Sequence, residues 1–244
     1  MGRSESPVCP PLNANDAMAK DLAVILNNGS VNSAVATALA AQKFRAVMLH
    51  VESMPAGAEA PQQAPRAKGA YDLQVGHFKP FREHTLAMPF LSALESPASP
   101  QAAASAAADP RQASVAPQLT ALLPLVAAAG RFAAHYQAAA IYLGLRIGPV
   151  ADDLAQATEF LQVWGELFNL PCGMPDLNVE APLLELEPWQ VVDVGFNAGA
   201  PFERTWSCHD NGAEPCGACP GCRGRAAAFQ QAGKPDPLRG AKKV

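Results

Sequence analysis

Residues 205–238 read TWSCHDNGAEPCGACPGCRGRAAAFQQAGKPDPL, and the fold follows from this stretch. Four of the six cysteines fall in it: Cys208, then seven residues, then Cys216, Cys219 and Cys222 as CxxCxxC, with Gly217, Pro220 and Gly221 between them. A CxxC pair folds into a tight turn that points both sulfurs inward, which Gly and Pro permit, and four thiolates suit a tetrahedral divalent ion. Disulfides ask instead for an oxidising compartment, and CxxCxxC has too little chain between its cysteines for several unstrained bridges. The expected ligands are therefore Cys208, Cys216, Cys219 and Cys222, and the expected ion is zinc. Its role is structural, because four thiolates leave no open position for water. His209 then falls outside a completed shell, backing it or facing solvent. Cys172, in NLPCGMP, stands apart from the cluster, and with no His and supporting acid beside it in sequence it reads as an idle thiol.

Outward from this tail, 244 residues suit one α/β domain with an appendage. The chain is 49% hydrophobic and 16% charged, a globular rather than a disordered composition. A net charge of −4 argues against a surface built to grip a nucleic-acid backbone, so direct nucleic-acid binding is not expected. No stretch approaches the roughly 18 apolar residues that cross a membrane, and the first twenty residues have no apolar core for a signal peptide. The expected setting is cytoplasmic, without a membrane partner.

Along the chain, residues 1–20 carry Pro7, Pro10 and Pro11 and read as a flexible tail in which Cys9 is a free thiol. Leu22–Leu26, LAVIL, is an all-apolar run of the kind buried on both faces of a parallel sheet. A polar Gly-containing turn, an Ala-rich helix in VNSAVATALAAQ and a second strand over Phe44–Glu52 complete a βαβ unit. Ser53–Lys68 reads as an exposed loop and Thr85–Leu91 as a third strand weakened by Pro89. Residues 96–117 are low-complexity. A long helix starting or kinking at Pro124, a strand at Ala140–Leu145 and a helix capped by Asp152 follow. Leu154, Ala157, Phe160, Leu161, Trp164 and Leu167 give that helix an apolar core stripe. APLLELE then predicts a late strand, and Pro188 opens a short helix through Val194. The alternation predicts a doubly wound, mainly parallel sheet over residues 21–206, its ligand at the strands' carboxyl ends, and a small metal module over 207–239.

TWSC, then CGxCxxCxxR, then AF and a Gly before DPL, resembles the carboxyl end of the 7-cyano-7-deazaguanine synthases of queuosine biosynthesis. Here these are Thr205–Cys208, Cys216–Arg225, Ala228 with Phe229, and Gly233–Leu238. The resemblance implies an adenine nucleotide alpha-hydrolase-like fold of the ATP-pyrophosphatase superfamily. It also implies an ATP-dependent ligase forming carbon–nitrogen bonds, a small-molecule deazaguanine substrate, ATP with magnesium, and a homodimer as a possible assembly. Such proteins carry SGGxDS between the first strand and first helix, where backbone N–H groups and the helix's positive end cradle phosphates. The aligned six here are Asn28, Gly29, Ser30, Val31, Asn32 and Ser33.

Half of that motif differs, with physical consequences. Ser30 places a Cβ where Gly allows close approach. Asn32 replaces a carboxylate by a carbonyl, a weaker ligand for a hard cation. Asn28 keeps hydrogen-bonding capacity without the Ser hydroxyl. LEPWQVV sets Pro188 where the resemblance implies a Lys, and the YPDC-type motif is missing, although Gly144, Asp153, Glu159 and Phe160 fall near expected places. Arg131 is all that stands for an Arg-Asn pair. Three readings follow: a working synthase, which adenylates 7-carboxy-7-deazaguanine and converts it with ammonia to the nitrile, a binding or scaffolding paralogue that kept fold and zinc but not ATP chemistry, and a divergent ligase that joins the same acid to another amine. His50, ending a strand at the ligand-facing edge, reads foremost as a hydrogen-bonded strand-end residue.

Overall fold

The run LAVIL forms strand β1 (Leu22–Leu26), and its first four side chains are buried, as an all-apolar strand covered on both faces must be. The structure is a computed structural model that describes residues 21–52, 64–91, 115–210 and 212–240. The expected tail 1–20 and nearly all of the stretch 96–117 lie outside the described residues. After β1 come α1 (Val31–Ala41), β2 (Arg45–Glu52), α2 (Ala64–Phe78), β3 (Arg82–Ala87), α3 (Ala116–Tyr136) and β4 (Ala140–Leu143). Then follow α4 (Ala151–Asn169), β5 (Asn178–Glu180), α5 (Pro188–Ala198), a 3-10 turn (Phe202–Arg204), α6 (Pro220–Gln231) and α7 (Pro237–Gly240).

The five strands are all parallel in the order β3-β2-β1-β4-β5. The order reverses between β1 and β4, and in open α/β sheets the crevice at such a reversal, beyond the carboxyl ends, receives ligands. Alternation along β1 divides the core. Leu22 and Val24 join Val126, Ala129, Ala157 and Phe168 of α3 and α4, while Ala23 and Ile25 meet Ala40 of α1 and Tyr71 of α2. A third cluster packs Val35 and Ala36 on the outer side of α1 against Val191, Val192, Phe202 and Phe229, which docks α5 and the carboxyl tail onto α1. Among the described residues no helix is long and apolar enough to cross a membrane.

Several local expectations are corrected. α2 starts at Ala64, inside the segment expected to be loop, because burial of Ala70, Tyr71 and Gln74 holds a helix whose composition alone is only weakly apolar. β3 runs from Arg82 to Ala87 and ends before Pro89, which has no N–H for a ladder. APLLELE is a turn rather than a strand: Leu183 is buried, the Leu184 carbonyl accepts Ile147 and Gly148 N–H, and the edge strand is the preceding Asn178–Glu180. Helix α3 starts at Ala116 and carries Pro124 within it, and α4 starts behind Val150, with Asp152 in its first turn and not at its cap. In the expected α4 stripe Ala157 is fully buried and Phe160, Leu161 and Trp164 pack against the core, whereas Leu167 is 40% exposed and its neighbour Phe168 is buried in its place. α5 continues past Val194 to Ala198.

Gly144 fixes the approach of β4 to α1, since a Cβ there would lie 2.8 Å from the Ser33 amide nitrogen and 2.9 Å from its Cα, both backbone atoms. Gly144→Ala should cost about 1–3 kcal/mol, lowering Tm by about 2–4 °C per kcal/mol. Gly224→Ala, whose Cβ would meet nothing within 4 Å in α6, should leave Tm unchanged or raise it. Thermal melts of the two variants compare them directly.

Candidate functional site

β1 runs straight into Asn27, a buried residue whose side chain organises the turn to α1. Its amide nitrogen donates to Thr37 Oγ1 at 3.0 Å and to Gln74 Oε1 at 2.8 Å, and its Oδ1 accepts the Gly29 N–H at 2.8 Å and the Ser33 hydroxyl at 3.2 Å. Every polar atom of that side chain is thereby satisfied, as burial requires. Gly29 sits at φ +79°, and a Cβ there would stand 2.4 Å from the Ala67 carbonyl oxygen. Ser30 is the N-cap of α1, extended at φ −79°, so its Cβ is unstrained, and its Oγ accepts the Ser33 N–H at 3.4 Å. Asn28 Oδ1 accepts the Ser30 N–H at 3.1 Å and the Ser33 hydroxyl at 3.0 Å.

Beside this turn, at the carboxyl ends of β1, β2 and β4, lies a cavity of about 270 Å³. Of the six residues aligned with the phosphate loop, Asn28, Ser30, Asn32 and Ser33 line it. Gly29 and Val31 do not: Gly29 is buried against α2, and Val31 packs with the cluster of Val35 and Phe202. The opposite wall, Gln118, Leu122 and Leu125 of α3, carried no sequence signal, since only the fold brings it there. None of the fourteen lining residues bears a charge. Arg131 is exposed on α3, and neither it nor Asp153, Glu159 or Phe160 lines the cavity, whereas Gly144 does. Pro188 occupies the first turn of α5, where a fixed φ suits a helix start, behind a capping box made by Glu187 and Gln190.

The four cysteines of the tail converge. Their sulfurs all lie within 4.8 Å of one another, with Cys208–Cys216 at 3.5 Å and Cys208–Cys219 at 3.9 Å. An ion bound tetrahedrally at about 2.3 Å from each sulfur sets them about 3.8 Å apart, so the donor set fits a metal ion. Backbone N–H groups support three of the sulfurs. Cys208 accepts from Asp210 and Cys216 at 3.3 Å, Cys216 from Cys219 at 3.4 Å, and Cys219 from His209 and Cys222 at 3.4 Å. The amides of His209 and Cys222 lower the Cys219 thiol to about 6, the amides of Ala218 and Cys219 lower Cys216, and burial pushes Cys222 up to about 12. Gly217 takes φ +73°, and a Cβ on Gly221 would stand 2.0 Å from the Ser207 carbonyl oxygen, so both glycines are geometric requirements. His209 contributes its backbone N–H and is exposed, and Cys172 is exposed and distant from the cluster.

The cluster and the cavity are mechanically joined. Arg225, buried in α6, makes a bidentate pair with Asp236 at 2.8 Å, donates to Thr205 Oγ1 at 2.6 Å and to the Phe202 carbonyl at 2.9 Å, and stacks over Phe229. This clamp fixes the TWSC segment, and the next residue, Trp206, donates its backbone N–H to the Gly29 carbonyl at 2.9 Å. Neither Asn27 nor this clamp was evident beforehand, although a polar residue directly after LAVIL and the paired Arg225 and Asp236 were visible in the sequence.

With this geometry in hand, the comparisons decide the family. The family profile described as queuosine biosynthesis protein QueC matches residues 22–233. The chain belongs to the QueC family. Similar curated proteins include the 7-cyano-7-deazaguanine synthase of Trichodesmium erythraeum (strain IMS101), 43% identical over 60 residues, 25% of this chain and 27% of the relative. That of Chlorobium chlorochromatii (strain CaD3) is 35% identical over 97 residues, 38% of this chain and 42% of the relative. That of Trichormus variabilis (strain ATCC 29413 / PCC 7937) is 36% identical over 85 residues, 33% of this chain and 37% of the relative. The matches thus span less than half the length of these QueC-family relatives. The doubly wound parallel sheet is the adenine nucleotide alpha-hydrolase-like architecture that the tail implied.

His50 does not line the cavity: it is 4% exposed, stacked on Tyr71 at 4.8 Å, with Nδ1 2.9 Å from the Asn27 carbonyl. Burial lowers its pKa below 6.5, with the Asn27 hydrogen bond acting in the opposite sense. The folded state therefore holds it neutral, so its stability contribution is complete above pH 6.5 and is lost as pH falls below that value. Melts from pH 7.5 down to pH 5 should show a steeper fall in Tm for the wild type than for His50→Gln. Adding a chelator should lower Tm by about 10 °C or more, because an ion held by the four sulfurs would tie Cys208 to the start of α6. Melts before and after chelation, with re-addition of the ion, measure this.

Proposed function

We propose that this chain is a queuosine-pathway member of the QueC family that binds a small ligand but has given up ATP-dependent adenylation, with a structural zinc on Cys208, Cys216, Cys219 and Cys222. The observation that carries the reading is the uncharged cavity. A magnesium-bound triphosphate asks for a carboxylate near the ion and cations facing the phosphate oxygens. Among the described residues the lining offers Asn32 where the resemblance implies Asp, and no Lys or Arg at all. These residues do not fit that group. Zinc fits the other site because the donors are four thiolates, two of them buried, with backbone amides against the sulfurs. Bound there, zinc supplies rigidity and no reactive water.

The second reading is the working synthase, taking 7-carboxy-7-deazaguanine and ammonia to the nitrile with ATP. It is favoured by the tail, which retains the whole motif from Thr205 to Leu238, and by the names of the relatives. The two part over pyrophosphate. Incubated with Mg-ATP, the deazaguanine acid and ammonia, the zinc-loaded protein should release neither pyrophosphate nor AMP above background. Steady release by the wild type would overturn the proposal. Asn32→Asp combined with Ser30→Gly, which restores a carboxylate and uncovers the Ser33 amide, is the variant expected to gain Mg-ATP binding by calorimetry.

A further inference from the structure

The cysteine cluster has a buried side and a solvent side. Cys208 and Cys222 are buried, Cys219 is half-buried and Cys216 is exposed. Four sulfurs that share one ion are all thiolates, so exposure is what distinguishes them toward an oxidant from solution. That oxidant meets Cys216 first. The sulfur of Cys208 stands 3.5 Å from it, and the Cys216 N–H reaches the same sulfur at 3.3 Å, so the two residues are already held together.

The other two cysteines are committed to α6. Cys219 is its N-cap, with its sulfur accepting the Cys222 N–H at 3.4 Å, and Cys222 lies in its first turn. Cys208 and Cys216 instead border residues 209–215, which form no helix or strand among the described residues and can give way as two sulfurs close. The segment before Cys208 has a second fastening that needs no metal. Arg225 and Asp236, with side chains only 5% and 6% exposed, form a bidentate pair, and the same guanidinium holds Thr205 and the Phe202 carbonyl. Loss of an ion therefore leaves the tail attached to the domain.

We propose that the cluster is a peroxide-reactive modification site, in which Cys216 is oxidised first and Cys208 closes a disulfide onto it, dismantling the metal site reversibly. This rests on the proposal that the four thiolates hold zinc. In the first step the Cys216 thiolate attacks hydrogen peroxide: an S–O bond forms, the O–O bond breaks, and hydroxide leaves and takes up a proton. In the second the Cys208 thiolate attacks the sulfenic sulfur: the S–S bond forms, the S–O bond breaks, and a second hydroxide leaves. The two sulfurs together lose two electrons and peroxide gains them. Cys219 and Cys222 remain as two donors of a four-donor site.

The test treats the full, zinc-loaded chain with hydrogen peroxide, follows zinc release with an indicator dye and maps disulfides by mass spectrometry of peptides. Zinc should be released with a Cys208–Cys216 bridge as the first to form, and a thiol reductant with added zinc should restore the bound ion. Cys216→His, which keeps a zinc donor and removes the oxidisable sulfur, should slow release at least tenfold. Cys172→Ser, at an exposed thiol outside the cluster, should leave the rate unchanged. If the His variant does not fold, the bridge mapped in the wild type decides alone.

Zinc retained under peroxide would overturn the inference, as would a first bridge between Cys219 and Cys222, or release from Cys216→His at the wild-type rate. In each of these cases the zinc reading stands. A reduced chain that holds no zinc at the outset overturns that reading and this inference with it, and metal analysis before peroxide is added separates the two.

Discussion

The carbonyl of Gly29 is where the parts of this molecule meet. It accepts the Trp206 N–H from the tail at 2.9 Å and the Gln74 side chain from α2 at 3.1 Å, and Gln74 in turn reaches the Arg204 carbonyl. That carbonyl is presented correctly only because residue 29 holds φ +79° with the Ala67 carbonyl pressed against the space where a Cβ would be. Such a position is open to glycine and strained for anything larger. The cysteine cluster is therefore coupled to the cavity by three short links: sulfurs to the TWSC segment, Arg225 with Asp236 clamping that segment, and Trp206 to Gly29.

The same turn explains the cavity's chemistry. Asn27, Thr37 and Gln74 form a buried network in which each bond supports the next, and burial makes an unfilled partner costly. A helix start whose nearby amides already have side-chain oxygens has less to offer an anion than one that waits for a ligand. Asn32 in this turn, and Pro188 at the start of α5, stand where the resemblance implies a carboxylate and a cation, and the cavity lining carries no charge.

What could be read in the sequence was what local chemistry determines. LAVIL and the strand starting at Ala140 were legible because burial on both faces leaves an unbroken apolar run, and the cysteines because a four-thiolate site is written in spacing. Helix α2 was hidden, since its buried face is narrow and includes the polar Gln74, whose place is understood only with Asn27 beside it. APLLELE looked like a strand because it is short and leucine-rich, yet it is a turn in which Leu183 packs with Val35 and Val191 and the Leu184 carbonyl accepts the Ile147 and Gly148 N–H groups. The α3 wall of the cavity was invisible for a different reason: Gln118 and Leu122 reach the loop through the packing of α3 on β1 and β4, a contact with no trace in either segment alone.

The central claim is that the amides of Gly29, Ser30 and Ser33 already have acceptors within the chain and that the uncharged lining beside them does not fit a triphosphate. Backbone amide chemical shifts of Gly29, Ser30 and Ser33, followed by nitrogen-resolved magnetic resonance while Mg-ATP is added to the metal-loaded protein, test it most directly. The account predicts that these three resonances stay in place up to millimolar nucleotide. Saturable, concerted shifts of the three would contradict it.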